Sequence, residues 1–463
     1  MFSDDPLGPR LSSWMSRPAP SILVIESSTR SGLRRRLGAA MRACDPPIRW
    51  LRPHPGGDPA SRLALARELA RDRDAGSPRV DTGDRGLGES GWDALWARWQ
   101  ERASEAPDQV WVVDDAELLP TASWDALRST WARVRAQALG LRLVLATADA
   151  SAVRLGSIPH DHLHLTPPDA TAWFGGASRW NPADRIRAAA IFGGDAALVD
   201  AVDPARSLGR NLRDLVLAPD APFATRSLDQ LAAALQRPER YLRVVEAIAG
   251  GAREWGEIRR RVGGLSSSGQ LGPYLKALEG SGWIESTRSL DASPRSRSTR
   301  YRVADLHAAF WFSCVLPAWS RLGVDDPLRV WREVVRPRVD AHVSRALPRL
   351  VRAWLAGDRS TEVLGARARE TGGLWGDGYD IAAAATLTTG AIVYGWVRWD
   401  ASGFDAGEVA ARADEVRRTR YGFGRENRVR LLVQRHGPSH ELARVAARDE
   451  ALVVLGAAEL VGA

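Results

Sequence analysis

Apolar runs and helical patterns alternate along the first third of the chain. β-type runs occur at 21–25, 48–51 (IRWL), 109–115 (QVWVVDD), 141–147 (LRLVLAT) and 162–165 (HLHL). Between them, stretches such as 60–74 and 123–140 repeat apolar residues at helical spacing. Strands that are apolar throughout, separated by helices, predict a parallel sheet covered on both faces. Residues 75–91 are rich in Gly and Asp without periodicity and read as a loop. From 167 to 237 the pattern is all-helical, and 238–304 reads as three helices and a hairpin. The remainder, 305–463, is mixed. It is helical over 328–356, strand-like at 380–387 and 391–399, and closes with a helix–strand–helix pattern over 405–460. The expected organisation is a tail (1–20), an α/β domain (21–166), a helical segment (167–237), a three-helix unit with hairpin (238–304) and a C-terminal α/β domain (305–463).

A net charge of +8 favours an anionic partner, nucleic acid first. The cations are almost all arginine, and Lys276 is the only lysine. Cys44 and Cys314 are far apart, which suits a reducing compartment. MFSDDPLGPRLSSW has acids and prolines where a signal peptide needs a basic end and an apolar run. No stretch reaches the roughly 18 apolar residues of a membrane span. The expectation is a soluble, cytoplasmic protein.

SILVIESSTRSGLRRRLGAAM (21–41) has the strand–turn–helix form of a phosphate loop. A working G-x-x-x-x-G-K-[ST] loop closes backbone N–H groups on phosphate, and its lysine and hydroxyl serve the terminal phosphates and Mg²⁺. Aligned on Gly32, the stretch offers Ser27 for the first glycine, Leu33 for the lysine and Arg34 for the hydroxyl. Arg30, Arg34, Arg35 and Arg36 are nearby and could take the charge role, but three of them run consecutively around a helix. Asp114 and Asp115 end the third apolar run, where a nucleotide hydrolase places the acids that hold Mg²⁺ and polarise water. A strand end that merely meets solvent would look the same. ATP and Mg²⁺ are the cofactors only if the loop functions.

Residues 241–251, 254–264 and 266–286 read as three helices, the last running into a strand that 298–303 pairs with after SLDASPRSR. This order is the winged helix-turn-helix. It would offer DNA the third helix, through Ser266, Ser267, Ser268, Gln270 and Lys276, and the wing, through Arg288, Arg295, Arg297 and Arg300. Arginines on a wing suit phosphate contacts, which position a protein without specifying sequence. Many winged helices contact only protein. In 373–400 a strand, turn and strand place Asp380 at the start of the first. Metal-dependent nucleases of the restriction type add Glu-x-Lys on the second strand, and here those positions hold Trp396 and Arg398. One carboxylate is a poor Mg²⁺ site, and Glu362 or Glu370 would have to approach.

The order RIRAAAIFGGDAALV, RPERYLRVVEAIAGG, the winged-helix segment, RYRVADLHAAFWFSCVLP and GLWGDGYDI…VYGWVRW resembles the archaeal-type P-loop ATPase family from about residue 21 to the end. The resemblance implies a multidomain α/β protein: an AAA+-like parallel-sheet ATPase domain with a helical lid, a winged helix, and a restriction-endonuclease-like α/β C-terminal domain. It also implies ATP hydrolysis, against which the residues argue. Walker A survives only as Gly32, Walker B as Asp114 and Asp115, and the nuclease motif only as Asp380. The leading expectation is a catalytically degenerate, DNA-associated protein. The alternatives are an ATPase with an arginine-bearing loop, or a silent partner subunit (a homo-oligomer or a related ATPase assembly) using surface tryptophans such as Trp92, Trp96 and Trp99.

Overall fold

The computed structural model describes residues 7–27, 37, 48–51, 53, 58–70, 91–105, 109–147, 152–165, 180–193, 196–235, 238–264, 270–293 and 298–462. Gly32, Arg34, Ser268, Arg295 and Arg297, with most of the phosphate-loop-like stretch, lie outside these residues. The chain forms two compact units, Met1–Pro167 and Pro168–Ala463.

The first unit opens with a helix, α1 (Leu7–Met15), where the sequence suggested only a tail. Leu7, Leu11 and Trp14 recur at helical spacing and are buried with Leu23 and Ile25. There follow β1 (Ser21–Ser27), β2 (Ile48–Leu51), α2 (Asp58–Ala70), α3 (Trp92–Glu105), β3 (Val110–Val113), α4 (Thr121–Ala136), β4 (Arg142–Thr147) and β5 (Asp161–Leu165). The five strands form one parallel sheet in the order β2-β3-β4-β1-β5. Alternate residues serve two cores: Ile22, Val24, Trp111, Val113, Leu143 and Leu145 face one, and Leu23, Ile25, Val110, Val112, Val144 and Ala146 the other. Both faces being covered is why these strands read as unbroken apolar runs.

The reading of Trp92, Trp96 and Trp99 as surface residues is overturned. They are 5%, 1% and 0% exposed and form the centre of the core under α3 and α4. Trp99 stacks on Trp131 at 6.2 Å and meets Trp96 edge-on at 5.6 Å. Trp96 Nε1 donates to Ser123 Oγ (3.0 Å), which makes its burial tolerable. Asp93, Glu101 and Glu105 of the same helix are exposed.

The second unit begins with α5 (Pro182–Phe192) and the short helices Ala196–Ala201, Leu208–Leu212 and Arg226–Ala234. Three helices follow, α6 (Glu239–Ala249), α7 (Trp255–Val262) and α8 (Leu271–Gly280), then an antiparallel hairpin, β6 (Ile284–Arg288) and β7 (Thr299–Val303). Gly263 and Gly264 close α7 with φ of +61° and +65°, conformations that side chains resist. After Leu306–Phe310 and its irregular continuation comes the long α9 (Arg336–Ala356). The C-terminal part is β8 (Ala368–Gly376), β9 (Tyr379–Leu387), β10 (Ile392–Arg398), α10 (Glu408–Arg418), β11 (Arg428–Gln434), α11 (His440–Ala446), β12 (Leu452–Leu455) and α12 (Ala457–Val461). Its sheet runs β12-β11-β10-β9-β8, antiparallel from β8 to β10 and parallel from β10 to β12. β8 is an element the sequence pattern concealed.

Candidate functional site

In a parallel sheet all carboxyl ends meet at one edge, and ligands bind beyond it. β3 stops at Val113, so Asp114 and Asp115 lie in the turn and not in the strand. The Asp114 N–H donates to Leu51 O (2.9 Å), which ties the turn to β2. Asp115 adopts a left-handed conformation, φ 56° and ψ 46°, which Asp tolerates better than most residues. Asp114 is buried while Asp115 is partly exposed, so the two acids have different environments. Next to them, at the end of β4, buried Thr147 donates from Oγ1 to Glu117 Oε2 (2.9 Å). Sequence reading missed Thr147 and Glu117, whose signal was a polar residue closing an apolar strand. At the end of β1, Glu26 lies 3.7 Å from His162 Nε2 of β5.

On α8, Leu271, Leu275 and Leu278 are buried, which turns Gln270 and Lys276 outward. Arg288 is exposed at the end of β6. Arg300 behaves differently. Its side chain is 16% exposed, donates from Nη1 to Asp380 Oδ1 (2.7 Å), reaches Glu254 at 3.3 Å and lies 4.7 Å over the Trp375 ring. It therefore ties the hairpin to the C-terminal sheet and is not held out to solvent beside Arg288. Its contact with Asp380 spans 80 residues of chain.

Asp380 opens β9 and is also 3.5 Å from Arg253. Two guanidiniums thus occupy the one carboxylate expected to hold a metal. Trp396 donates from Nε1 to Glu415 Oε2 (3.1 Å), and Arg398 forms a two-bond fork with Glu408 (2.7 Å each). The Arg398 fork holds the Glu408 carboxyl below its ordinary range. Glu370 is within 3.3 Å of the Tyr421 hydroxyl, and Glu362 lies on the helix Arg359–Leu364. Among the described residues no group of three or more His, Cys, Asp or Glu is arranged to hold a metal. A Mg²⁺ ion does not fit the donors around Asp380, because cations already fill the ligand positions. Among the described residues, no helix is long and apolar enough to cross a membrane.

No family model matches the chain. An uncharacterised protein of Methanocaldococcus jannaschii is 34% identical over 87 residues, a match spanning 19% of each protein. Among solved structures, a Walker-type ATPase of Pyrococcus abyssi is similar over 67% of this chain and 96% of that one, with 15% identity and a TM-score of 0.41. A signal-transduction ATPase with a tetratricopeptide-repeat sensor, from Pyrococcus horikoshii, is similar over 77% of this chain and 50% of its own, with 12% identity and a TM-score of 0.31. The Drosophila ORC bound to DNA is similar over 62% and 88%, with 12% identity and a TM-score of 0.26.

Proposed function

We propose that the chain is a catalytically silent relative of the P-loop ATPases that binds DNA through a winged helix formed by α6, α7, α8 and the β6–β7 hairpin. The observation that carries the reading is the outward set of Gln270 and Lys276, at the start of and on a helix whose opposite face is anchored by three leucines, with exposed Arg288 at the end of the adjoining strand β6. The net charge of +8 supports it. The P-loop descent rests on the parallel order β2-β3-β4-β1-β5 with Asp114 directly after β3. Silence rests on the absence of any lysine before Lys276, and on the engagement of Asp380 by Arg300 and Arg253. A C-terminal domain of restriction-endonuclease descent would then serve as scaffold.

The test is the salt dependence of duplex DNA affinity, read by fluorescence anisotropy. Each phosphate contact lowers log K by about 0.9 per decade of salt. The double variant Lys276→Ala/Arg288→Ala is expected to flatten the slope by about 1.8, which is two contacts. An affinity that ignores salt, or a slope unchanged in the variant, rejects the reading.

A second reading, ATP handling by the first unit, is favoured by buried Asp114 beside the Thr147–Glu117 hydrogen bond at the sheet's carboxyl edge. It requires Mg²⁺-dependent ATP turnover that Asp114→Asn abolishes. A calorimetric titration silent to millimolar ATP removes it. A silent-partner role loses its support from the tryptophans, since all three are buried.

A further inference from the structure

A cavity of about 560 Å³ opens in the second unit between the three-helix unit, α9 and the C-terminal sheet. Eight of its lining residues are arginines, and Asp380 is its only lining acid. Half of these cations are answered locally. Asp380 faces Arg253 and Arg300, and Glu408 faces Arg398 and Arg412.

The other four, Arg302, Arg345, Arg349 and Arg352, have one paired carboxylate among them in the described residues. Arg302 pairs with Glu285 at 2.6 Å. Arg349 donates from Nη1 to Ala304 O, and Arg352 donates from Nε to Pro348 O (3.0 Å). Among the described residues, neither Arg349 nor Arg352 has a carboxylate within ion-pair distance, and each keeps most of its five N–H donors uncommitted. Arg302, Arg349 and Arg352 thus share the Glu285 carboxylate, which leaves two positive charges in one place. Glu285 itself stays ionised: despite burial, Arg302 and Arg349 hold its carboxyl below the ordinary range. Burial, then repulsion from Arg302 and Arg349, pushes Arg352 down to about 9. Gly373 faces Arg352 without a side chain, and a Cβ there would lie 3.4 Å from Arg352 Nη1.

Partly buried cations without counter-charges destabilise a fold, and apolar residues of similar size would serve packing better. Their presence is explained by an anion from solution. A single carboxylate is satisfied by one guanidinium fork, whereas a tetrahedral oxyanion accepts from several forks at once. The two charges left over beside Glu285 match a dianion, and Arg345 adds a further cation to the lining. The volume lies within the range of small-ligand sites.

We propose that this cavity binds a small phosphorylated ligand whose terminal dianionic phosphate is held by Arg302, Arg349 and Arg352. This does not rest on the DNA reading, and the two are tested by different residues.

The experiment is isothermal titration calorimetry of the full chain with inorganic phosphate, pyrophosphate and AMP in separate titrations, at fixed chloride. Saturable binding of at least one is expected, and the tightest identifies whether the site takes the free ion, a diphosphate or a monoester. Arg352→Gln and Arg349→Gln should each weaken it by about tenfold or more, the loss of a charge-assisted contact. Asp114→Asn and Lys276→Ala/Arg288→Ala should leave it unchanged. Without ligand, Arg352→Gln should melt no lower than the parent, since it removes an unanswered cation. Should that variant fail to fold, Arg349→Gln carries the comparison. No saturable heat at millimolar concentration with any of the three, unchanged affinity in both arginine variants, or equal competition by chloride overturns the proposal. So does loss of DNA affinity in Arg352→Gln with no phosphate binding, which would assign the arginines to a nucleic-acid backbone.

Discussion

Asp380→Ala would leave the mostly buried Arg300 guanidinium with only the more distant Glu254. Breaking a fully buried pair costs about 3–5 kcal/mol, but Asp380 is itself nearly half exposed and solvent screens the contact. A loss of about 1–2 kcal/mol is expected in urea unfolding, with the circular dichroism spectrum retained. An unchanged midpoint would mean that the Arg300 contacts to Glu254 and Trp375 suffice. Trp99→Ala is the stronger test in the first unit: a fully buried ring with aromatic neighbours on several sides, expected to cost about 3–5 kcal/mol. The sequence allowed Asp380 to be singled out, yet its neighbour Arg300 was assigned to the solvent side of the hairpin. Residue type and local period do not encode a contact made across the fold. Trp99 was misplaced at the surface, although Trp92, Leu95, Trp96, Trp99 and Ala103 share one buried face of α3.

Elements were legible where one period dominates. β1, β3 and β4 are apolar on both faces and could be read directly, whereas β8 carries Gly372 and Gly373 and alternates poorly. α1 was hidden by its proline and glycine, although Leu7, Leu11 and Trp14 already mark one helical face. The end of α5 shows what periodicity misses. Its last carbonyls lack intrahelical partners. Two of them, Ala190 O and Ile191 O, accept from His342 Nε2 (2.9 Å) and face His307 Nδ1 (3.1 Å). A carbonyl only accepts, so His342 Nε2 carries the proton of this contact. Burial, together with Arg345 and His307, pushes His342 from 6.5 down to about 4. The native state therefore binds fewer protons than the unfolded chain over that interval. The contribution is complete above pH 6.5 and is lost as pH falls through 6.5 towards 4. It amounts to about 3 kcal/mol for a fully buried group. Denaturant stability measured from neutral pH to about 4 should fall more steeply in the parent than in His342→Gln, whose amide can still donate to Ala190 O. Parallel curves would mean that the ring titrates normally.

At the scale of the whole molecule, the division at Pro167/Pro168 makes a prediction that no single contact does. Each unit closes its own cores: the first has one on each face of its parallel sheet, and the second runs from α5 through α9 into the C-terminal sheet. Chains with separate cores depart from two-state unfolding, so calorimetry of the full chain should show two transitions. The variants assign them. Trp99→Ala should lower one, by about 2–4 °C per kcal/mol lost, and leave the other in place. Asp380→Ala should do the reverse. A phosphate ligand in the arginine cavity stabilises only the state that binds it, so it should raise the transition that Asp380→Ala lowers and no other. One cooperative transition, moved equally by both substitutions, would instead mean that the two units share their stability. The arginine cavity would then be coupled energetically to the edge that carries Asp114, and phosphate binding would protect both.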